Sequence, residues 1–220
     1  MILKKNDLWL TKLLKKNCYT ISKFIPTNKL NLKSFYTCRL TEKIKNKKDY
    51  SLVVTGIKLL LKKKSFRNNK NFHNVIQLKS LKKFKDSLFK LIKNNFTYSR
   101  FSTDKLIPKK IVDKIYFQWM SDSITIKKKE FYCIINSSNK IVSCIIVKND
   151  IDKIIIDLTV SNKQYQGRGF AGSILKHIIN KYPKKDIVVG TELENKPALK
   201  LYKKFKFKQI EKKFVYHLHT

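Results

Sequence analysis

The sequence predicts an α+β protein in which a mixed, mostly antiparallel sheet carries helices on both faces, preceded by a small mixed N-terminal domain. Three observations lead there. Beyond residue 73, apolar residues recur at helical spacing in four segments. The segments between them are short apolar runs of strand length, and the middle three are joined by turns of two to four polar residues. The chain has 220 residues, 42% of them hydrophobic, enough for a sizeable core.

Residues 1–72 hold short apolar groups, Leu8-Trp9-Leu10 and Leu52-Val53-Val54, separated by lysine and asparagine. They are assigned to the N-terminal domain, whose fold stays open. The basic run from Lys62 through Lys70 is the linker candidate, because its charge is unbroken and its apolar content drops. Residues 73–220 form the second domain. Residues 74–79 alternate as a strand, and Ser80 caps a helix with the apolar face Leu81, Phe84, Leu88, Leu91 and Ile92. A loop through Arg100 and Asp104 leads to Pro108, placed at a first helical position, and Ile111, Ile115, Tyr116 and Trp119 form the inner face of a second helix. Strands at 131–136, 141–148 and 154–160 follow as an antiparallel meander, turning at residues 137–140 and at Asn149-Asp150. Phe170, Ile174, Leu175, Ile178 and Ile179 mark a third helix that Pro183 stops. A strand at 187–192 comes next, then a fourth helix from Asn195 with Ala198, Leu201, Tyr202 and Phe205 inward, and a closing strand at 209–218.

The net charge of +35 would ordinarily suggest a nucleic-acid partner. However, only Arg39, Arg67, Arg100 and Arg168 are arginines; the rest of the 50 basic residues are lysines spread along the chain among many asparagines and isoleucines. Those three residue types share A/T-rich codons, so genome base composition accounts for most of the charge, and no nucleic-acid partner is expected. Cys18, Cys38, Cys133 and Cys144 lack zinc-site spacing and read as reduced, partly buried thiols. His73, His177, His217 and His219 form no metal motif, and no metal is expected. No apolar run approaches membrane-spanning length, which points to a cytoplasmic protein without membrane insertion.

The chemistry concentrates in the last third. Between Val160 and Phe170 the chain leaves a strand, passes Gln166-Gly167-Arg168-Gly169 and enters a helix at Phe170-Ala171-Gly172. Glycines let backbone approach a ligand, and the unpaired N–H groups at a helix start favour an anion such as a pyrophosphate. A plain structural turn is the bland alternative. A dinucleotide-binding fold does not fit, since no βαβ unit with an acidic strand end follows, and Walker spacing is absent.

The segment from Thr191 to Phe207, with Asn195, Ala198, Tyr202 and Phe207 in register, resembles the N-x-x-A-x-x-x-Y-x-x-x-G-F block of the GNAT superfamily of acetyltransferases, and Val160 with the Q-G-x-G-x-A turn resembles its pyrophosphate block. Lys206 stands where that family usually has glycine. The resemblance implies the GNAT fold and acetyl-coenzyme A as co-substrate. It implies a pantetheine arm lying where two central strands part, against Leu158 and Val160, and a pyrophosphate on Gln166, Gly167, Arg168, Gly169, Phe170, Ala171, Gly172 and Ile174. It further implies that Asn195 caps the fourth helix and bonds the arm, and that Tyr202 protonates the departing thiolate. The bland reading of Tyr202 is a core aromatic. Asp157 and Glu192 are both candidates for the base, with salt-bridged or exposed roles equally compatible for each.

Outside these blocks, Ser99-Arg100-Phe101 with Asp104, then Tyr116 and Trp119, resemble the S-R-F-x-x-D and L-Y-x-x-W pattern of the TDP-fucosamine N-acetyltransferases. In that group Gln is usual where this chain has Glu192. The likeness implies a nucleotide-linked amino sugar as acceptor, with Arg100 near its diphosphate and Tyr116 or Trp119 as an apolar wall. The alternatives are a surface pair between Arg100 and Asp104, and acceptors such as protein N-termini, ribosomal proteins or small amines. A non-enzymatic basic binding protein would require loss of the turn glycines or the tyrosine, and both are present. Oligomeric state stays open, a homodimer being one outcome.

Overall fold

The computed structural model describes residues 4–44, 49–63, 73–79, 81–93, 95–126 and 128–220. The first strand, β1 (Lys4–Asn6), leads into α1 (Leu8–Leu14), where the Asp7 side chain caps the helix by accepting from the Leu10 N–H at 3.0 Å. Three more strands follow: β2 (Asn17–Ile21), β3 (Ser34–Leu40) and β4 (Ser51–Leu61). Next come β5 (Ile76–Gln77), α2 (Lys85–Ile92) and α3 (Lys109–Thr125). The meander is β6 (Lys129–Ile135), β7 (Ile141–Asn149) and β8 (Lys153–Ser161), each antiparallel to the next, as the short turns require. The chain ends with α4 (Phe170–Lys181), β9 (Asp186–Glu192), α5 (Lys196–Lys204) and β10 (Lys208–His219).

All ten strands join one sheet in the order β1-β2-β3-β10-β4-β9-β8-β7-β6-β5. β4 lies between β9 and β10, so the sheet runs across the expected boundary at residue 72. The reason is that β4 is an interior strand. Val54, Ile57, Leu59 and Leu61 are buried, and its two backbone edges find partners only in β9 and β10. Most of the expected linker, at 64–70, and the expected cap Ser80 lie outside the described residues.

Two boundaries differ from expectation for local reasons. Residues 81–84 form turns before α2 begins, and β5 keeps only two paired residues. Pro108 has ψ 143, so it stands just before α3 in an extended conformation instead of inside its first turn. The αL residue after α5 is Lys206, at φ 63, where a glycine would be unstrained.

Helices cover both faces. Ile145, Ile174, Leu175, Ile178, Val189 and Tyr202 pack the sheet against α4 and α5. On the opposite face Leu88, Met120, Phe131, Ile146 and Leu158 pack it against α2 and α3. Adjacent residues such as Ile145 and Ile146 serve opposite cores, as the two-residue period of a strand dictates. All four cysteines are buried and unbonded. No helix among the described residues is long and apolar enough to cross a membrane.

Replacing Lys206 by glycine relieves the left-handed backbone at the end of α5. Denaturant unfolding should show a gain of about 0.5–1 kcal/mol, net of the added flexibility of the unfolded chain.

Candidate active site

The site begins where the sheet opens. β8 and β9 run parallel and pair from Lys153↔Asp186 to Ile156↔Val189, and their pairing stops there although β8 continues to Ser161 and β9 to Glu192. Each strand keeps its outer partner. β8 stays paired to β7 through Leu158, Thr159 and Val160, and β9 to β4 through Gly190, Thr191 and Glu192. Asp157 sits at a register shift against β7, between the pairs Ile146↔Leu158 and Val147↔Ile156, so the strand bulges at the point where it leaves β9. A cavity of about 300 Å³ fills the gap. Its walls come from both faces: Asn195, Ala198 and Tyr202 from α5, and Tyr116 and Trp119 from α3, with Phe96, Tyr98, Ser99 and Phe101 from the loop between α2 and α3.

Tyr202 lies on the inner face of α5 and is 2% exposed. Its hydroxyl is 3.0 Å from Thr159 Oγ1. Burial raises its pKa to about 12 against the lowering effect of that hydrogen bond, so the phenol stays protonated near neutrality. Thr159 was missed in the sequence, although strand alternation carried the signal: Leu158 and Val160 face α2 and α3, which turns Thr159 toward α5. Asn195 caps α5 by accepting from the Ala198 N–H at 3.3 Å, and its amide donates toward Thr191 Oγ1 at 3.4 Å.

The two acidic candidates separate clearly. Asp157 is tied to Lys129 at 2.8 Å, and Lys129 also donates to Ser123 and lies 4.6 Å from the Trp119 ring centre. Glu192 has no ion-pair partner among the described residues. Burial, helped by the nearby charge of Glu194, raises its pKa to about 6. Its charge is also felt at both Tyr116 and Tyr202, and all three line the same cavity.

The glycine turn adopts the expected geometry. After a short 3-10 turn at Lys163–Tyr165, Gly167 and Gly169 have φ 79 and φ 82, and Gly169 is the residue before the first turn of α4. A side chain at either position would strain this backbone. Gln166, Arg168 and Gly169 are exposed around the N–H groups at the helix start. The Arg168 guanidinium lies 5.3 Å from the Tyr165 ring centre. His73, not foreseen, is 3.2 Å from the Arg168 carbonyl and packs edge-on against Phe170. Ile174 is 0% exposed in the core. It packs there with Leu175, Ile178 and Tyr202. Ala171 is half-buried, and Gly172 faces Leu201 and Phe205 of α5.

At the other end of the cleft the expected alternative of an Arg100–Asp104 surface pair fails. Asp104 is buried and accepts from His217 Nδ1 at 2.6 Å and His219 Nε2 at 2.8 Å. Burial alone would raise the Asp104 carboxyl, but the two histidine hydrogen bonds hold it well below the usual carboxylate range. Burial keeps His217 neutral, with a pKa near 4. These three side chains could be taken for a metal site. Their 2.6 and 2.8 Å separations are hydrogen-bond distances, shorter than the roughly 3.3 Å between ligands on a tetrahedral ion.

Residues 89–207, just over half the chain, match the model of the acetyltransferase (GNAT) family. No curated protein sequence matches the chain. Among solved structures, a conserved protein of unknown function from Staphylococcus epidermidis superposes with a TM-score of 0.66 at 9% identity, over 95% of this chain and 88% of that one. A GCN5-related N-acetyltransferase from Sphaerobacter thermophilus gives 0.61 at 8% identity, over 92% and 73%. A GNAT-family acetyltransferase assigned in Novosphingobium aromaticivorans gives 0.55 at 10%, over 86% and 76%. Such identities carry the fold alone; the family match carries the chemistry, acetyl transfer from acetyl-coenzyme A. The chain belongs to the GNAT family of acetyltransferases and is an N-acetyltransferase.

Proposed function

We propose that the protein acetylates the amine of a nucleotide-linked amino sugar of the TDP-fucosamine type, for surface polysaccharide synthesis, by direct transfer from acetyl-coenzyme A. The observation that carries this reading is the cleft between β8 and β9, whose lining brings Glu192 together with Tyr116 from α3 and Tyr202 from α5.

The residues present fit the co-substrate. The N–H groups at the start of α4, opened by Gly167 and Gly169, would hold its pyrophosphate with Gln166 and Arg168 beside them. The edge of β8 released from β9, at Leu158 and Val160, offers backbone groups for the amides of the pantetheine arm, and Asn195 lies across the gap. Acetyl-coenzyme A supplies the activated acetyl group. Glu192 takes a proton from the acceptor ammonium, and the neutral amine attacks the acetyl carbon. As the C–N bond forms and the C–S bond breaks, the nitrogen loses a proton to solvent, and Tyr202 gives its own proton to the sulfur and is reprotonated through Thr159 or solvent. A phenol at about 12 is a sufficient donor here, because the same burial that raises it raises the basicity of a thiolate leaving beside it. Asp157, committed to Lys129, acts by shaping the bulge.

The aromatic loop supports the choice of a small acceptor. Phe96 stacks on Tyr116 with ring centres 3.9 Å apart, and Phe101 and Tyr98 join them over the cleft. A peptide acceptor needs an open groove, so transfer to protein N-termini is the second reading. Incubation with acetyl-coenzyme A and matched TDP-amino sugars, simple amines and N-terminal peptides, with thiol release as readout, decides between them. Turnover confined to peptides removes the sugar reading.

Tyr202→Phe is expected to lower turnover ten- to a thousandfold, roughly the range for a lost proton donor, at nearly constant acetyl-coenzyme A affinity. Unchanged turnover removes it as the acid. Glu192 must be ionised to accept a proton, so kcat/KM should rise with pH through about 6 and lose that limb in Glu192→Gln. The same substitution has a stability signature of opposite sense. The native state holds the Glu192 proton more tightly than the unfolded chain does, so ionisation costs stability as pH rises from about 4.5 to 6. Glu192→Gln should therefore be more stable than the parent above pH 6, by about 1–2 kcal/mol.

A further inference from the structure

A second cavity, of about 370 Å³, continues from the cleft along the sheet and shares Ser99, Phe101, Tyr116 and the segment Gly190, Thr191, Glu192 with it. Its floor follows from strand register. Arg39 of β3 opposes Val215 of β10, and Thr37 opposes His217, so alternation turns Thr37, Arg39, Val215 and His217 to one face. Arg100 closes the cavity from the loop above. Its Nη1 donates to Thr37 Oγ1 at 2.6 Å and lies 3.4 Å from His217 Nε2, and its guanidinium stacks 4.1 Å from the Phe101 ring centre. Because Asp104 takes the Nδ1 proton side of the neutral His217 ring, the Nε2 lone pair is the one left to face Arg100.

The charge is left over at this point. No carboxylate among the described residues lies within ion-pair distance of Arg39 or Arg100. Glu211, on the cavity wall, is already held by Lys58 at 2.8 Å and Lys213 at 2.6 Å. Burial, and then the charge of Arg39, pull the Arg100 guanidinium down to about 10, with Asp7 acting against them at longer range than an ion pair. Composition sharpens this. Only four of the chain's 50 basic residues are arginine; Arg168 flanks the glycine turn, and two of the other three line this one cavity. Two guanidinium groups lining one cavity offer planar donor sets that match a planar or tetrahedral oxyanion.

We propose that Arg39 and Arg100 form an anion subsite that holds the phosphoryl group of the acceptor while its amine reaches Glu192, with Thr37, His217 and Asp104 as positioning residues for Arg100. The proposal rests on the reading of the adjoining cleft as the acetyl-transfer site, and it narrows the acceptor to a phosphorylated or diphosphate-linked amine.

Calorimetric titration with inorganic pyrophosphate tests it, carried out with coenzyme A saturating so that the glycine turn is already filled. The parent protein should bind pyrophosphate, and Arg39→Gln and Arg100→Lys should each weaken it about tenfold or more. Arg39 is exposed, so its variant tests the site even where a change at Arg100 upsets folding. In turnover with a phosphorylated amine, Arg39→Gln should raise KM with little change in kcat. Equal pyrophosphate binding by parent and both variants, or no binding by the parent, overturns the subsite. If a TDP-linked amine is acetylated with the same KM by parent and Arg39→Gln, the subsite falls and the nucleotide-sugar reading stands. If phosphorylated amines are acetylated with an Arg39-dependent KM and TDP-linked ones are not, the subsite stands and the nucleotide-sugar reading falls.

Discussion

The candidate active site depends on two parallel strands ceasing to pair. From Lys153 to Ile156, β8 and β9 satisfy each other's backbone groups; beyond Ile156 and Val189 each is paired on its outer side alone. A buried N–H or carbonyl left without a partner is costly, of order 1–3 kcal/mol, so such an opening inside a ten-stranded sheet persists only where the surroundings enforce it. Here the bulge at Asp157 bends β8 away, the Lys129 ion pair anchors the bulge, and β4 holds β9 in place from the other side. In the proposed function the exposed edge is the partner for an extended, amide-bearing arm. Tyr202 and Glu192 are both delivered by elements that flank the gap.

Burial sets the electrostatics of that gap. It keeps the Tyr202 phenol protonated and lifts Glu192 into the range where it exchanges a proton near neutrality, two shifts that suit the proposed donor and acceptor. The large lysine charge on the outside contributes little to this, because exposed charges are screened over about a Debye length. What matters locally is that Glu192 and Arg100 have no ion-pair partner among the described residues, whereas Asp157 and Glu211 are paired to lysines and Asp104 is held by hydrogen bonds from two histidines.

The parts of the site that lie close in sequence were legible from it. Gly167 and Gly169 announce a turn that only glycine enters without strain, and Asn195, Ala198 and Tyr202 fall at cap and inner-face positions of one short helix. Lys206 shows the cost of departing from that local grammar, since its φ of 63 is imposed by the end of α5 whatever residue occupies it. Just over one helical turn past the glycines, at Ile174, the chain has already rotated into the core.

The sequence by itself determined the element order, the glycine turn and the Asn195–Tyr202 helix, because turn strain, capping and apolar period act over a few residues. Only the tertiary structure decided that β4 enters the sheet between β9 and β10, and that Asp104 turns from Arg100 to His217 and His219. It also decided which of two carboxylates is unpaired and that Arg39 shares a cavity with Arg100. These are contacts between residues from about 30 to more than 100 positions apart. Strand order and side-chain partners at that range follow from how whole faces bury one another, which no local spacing encodes.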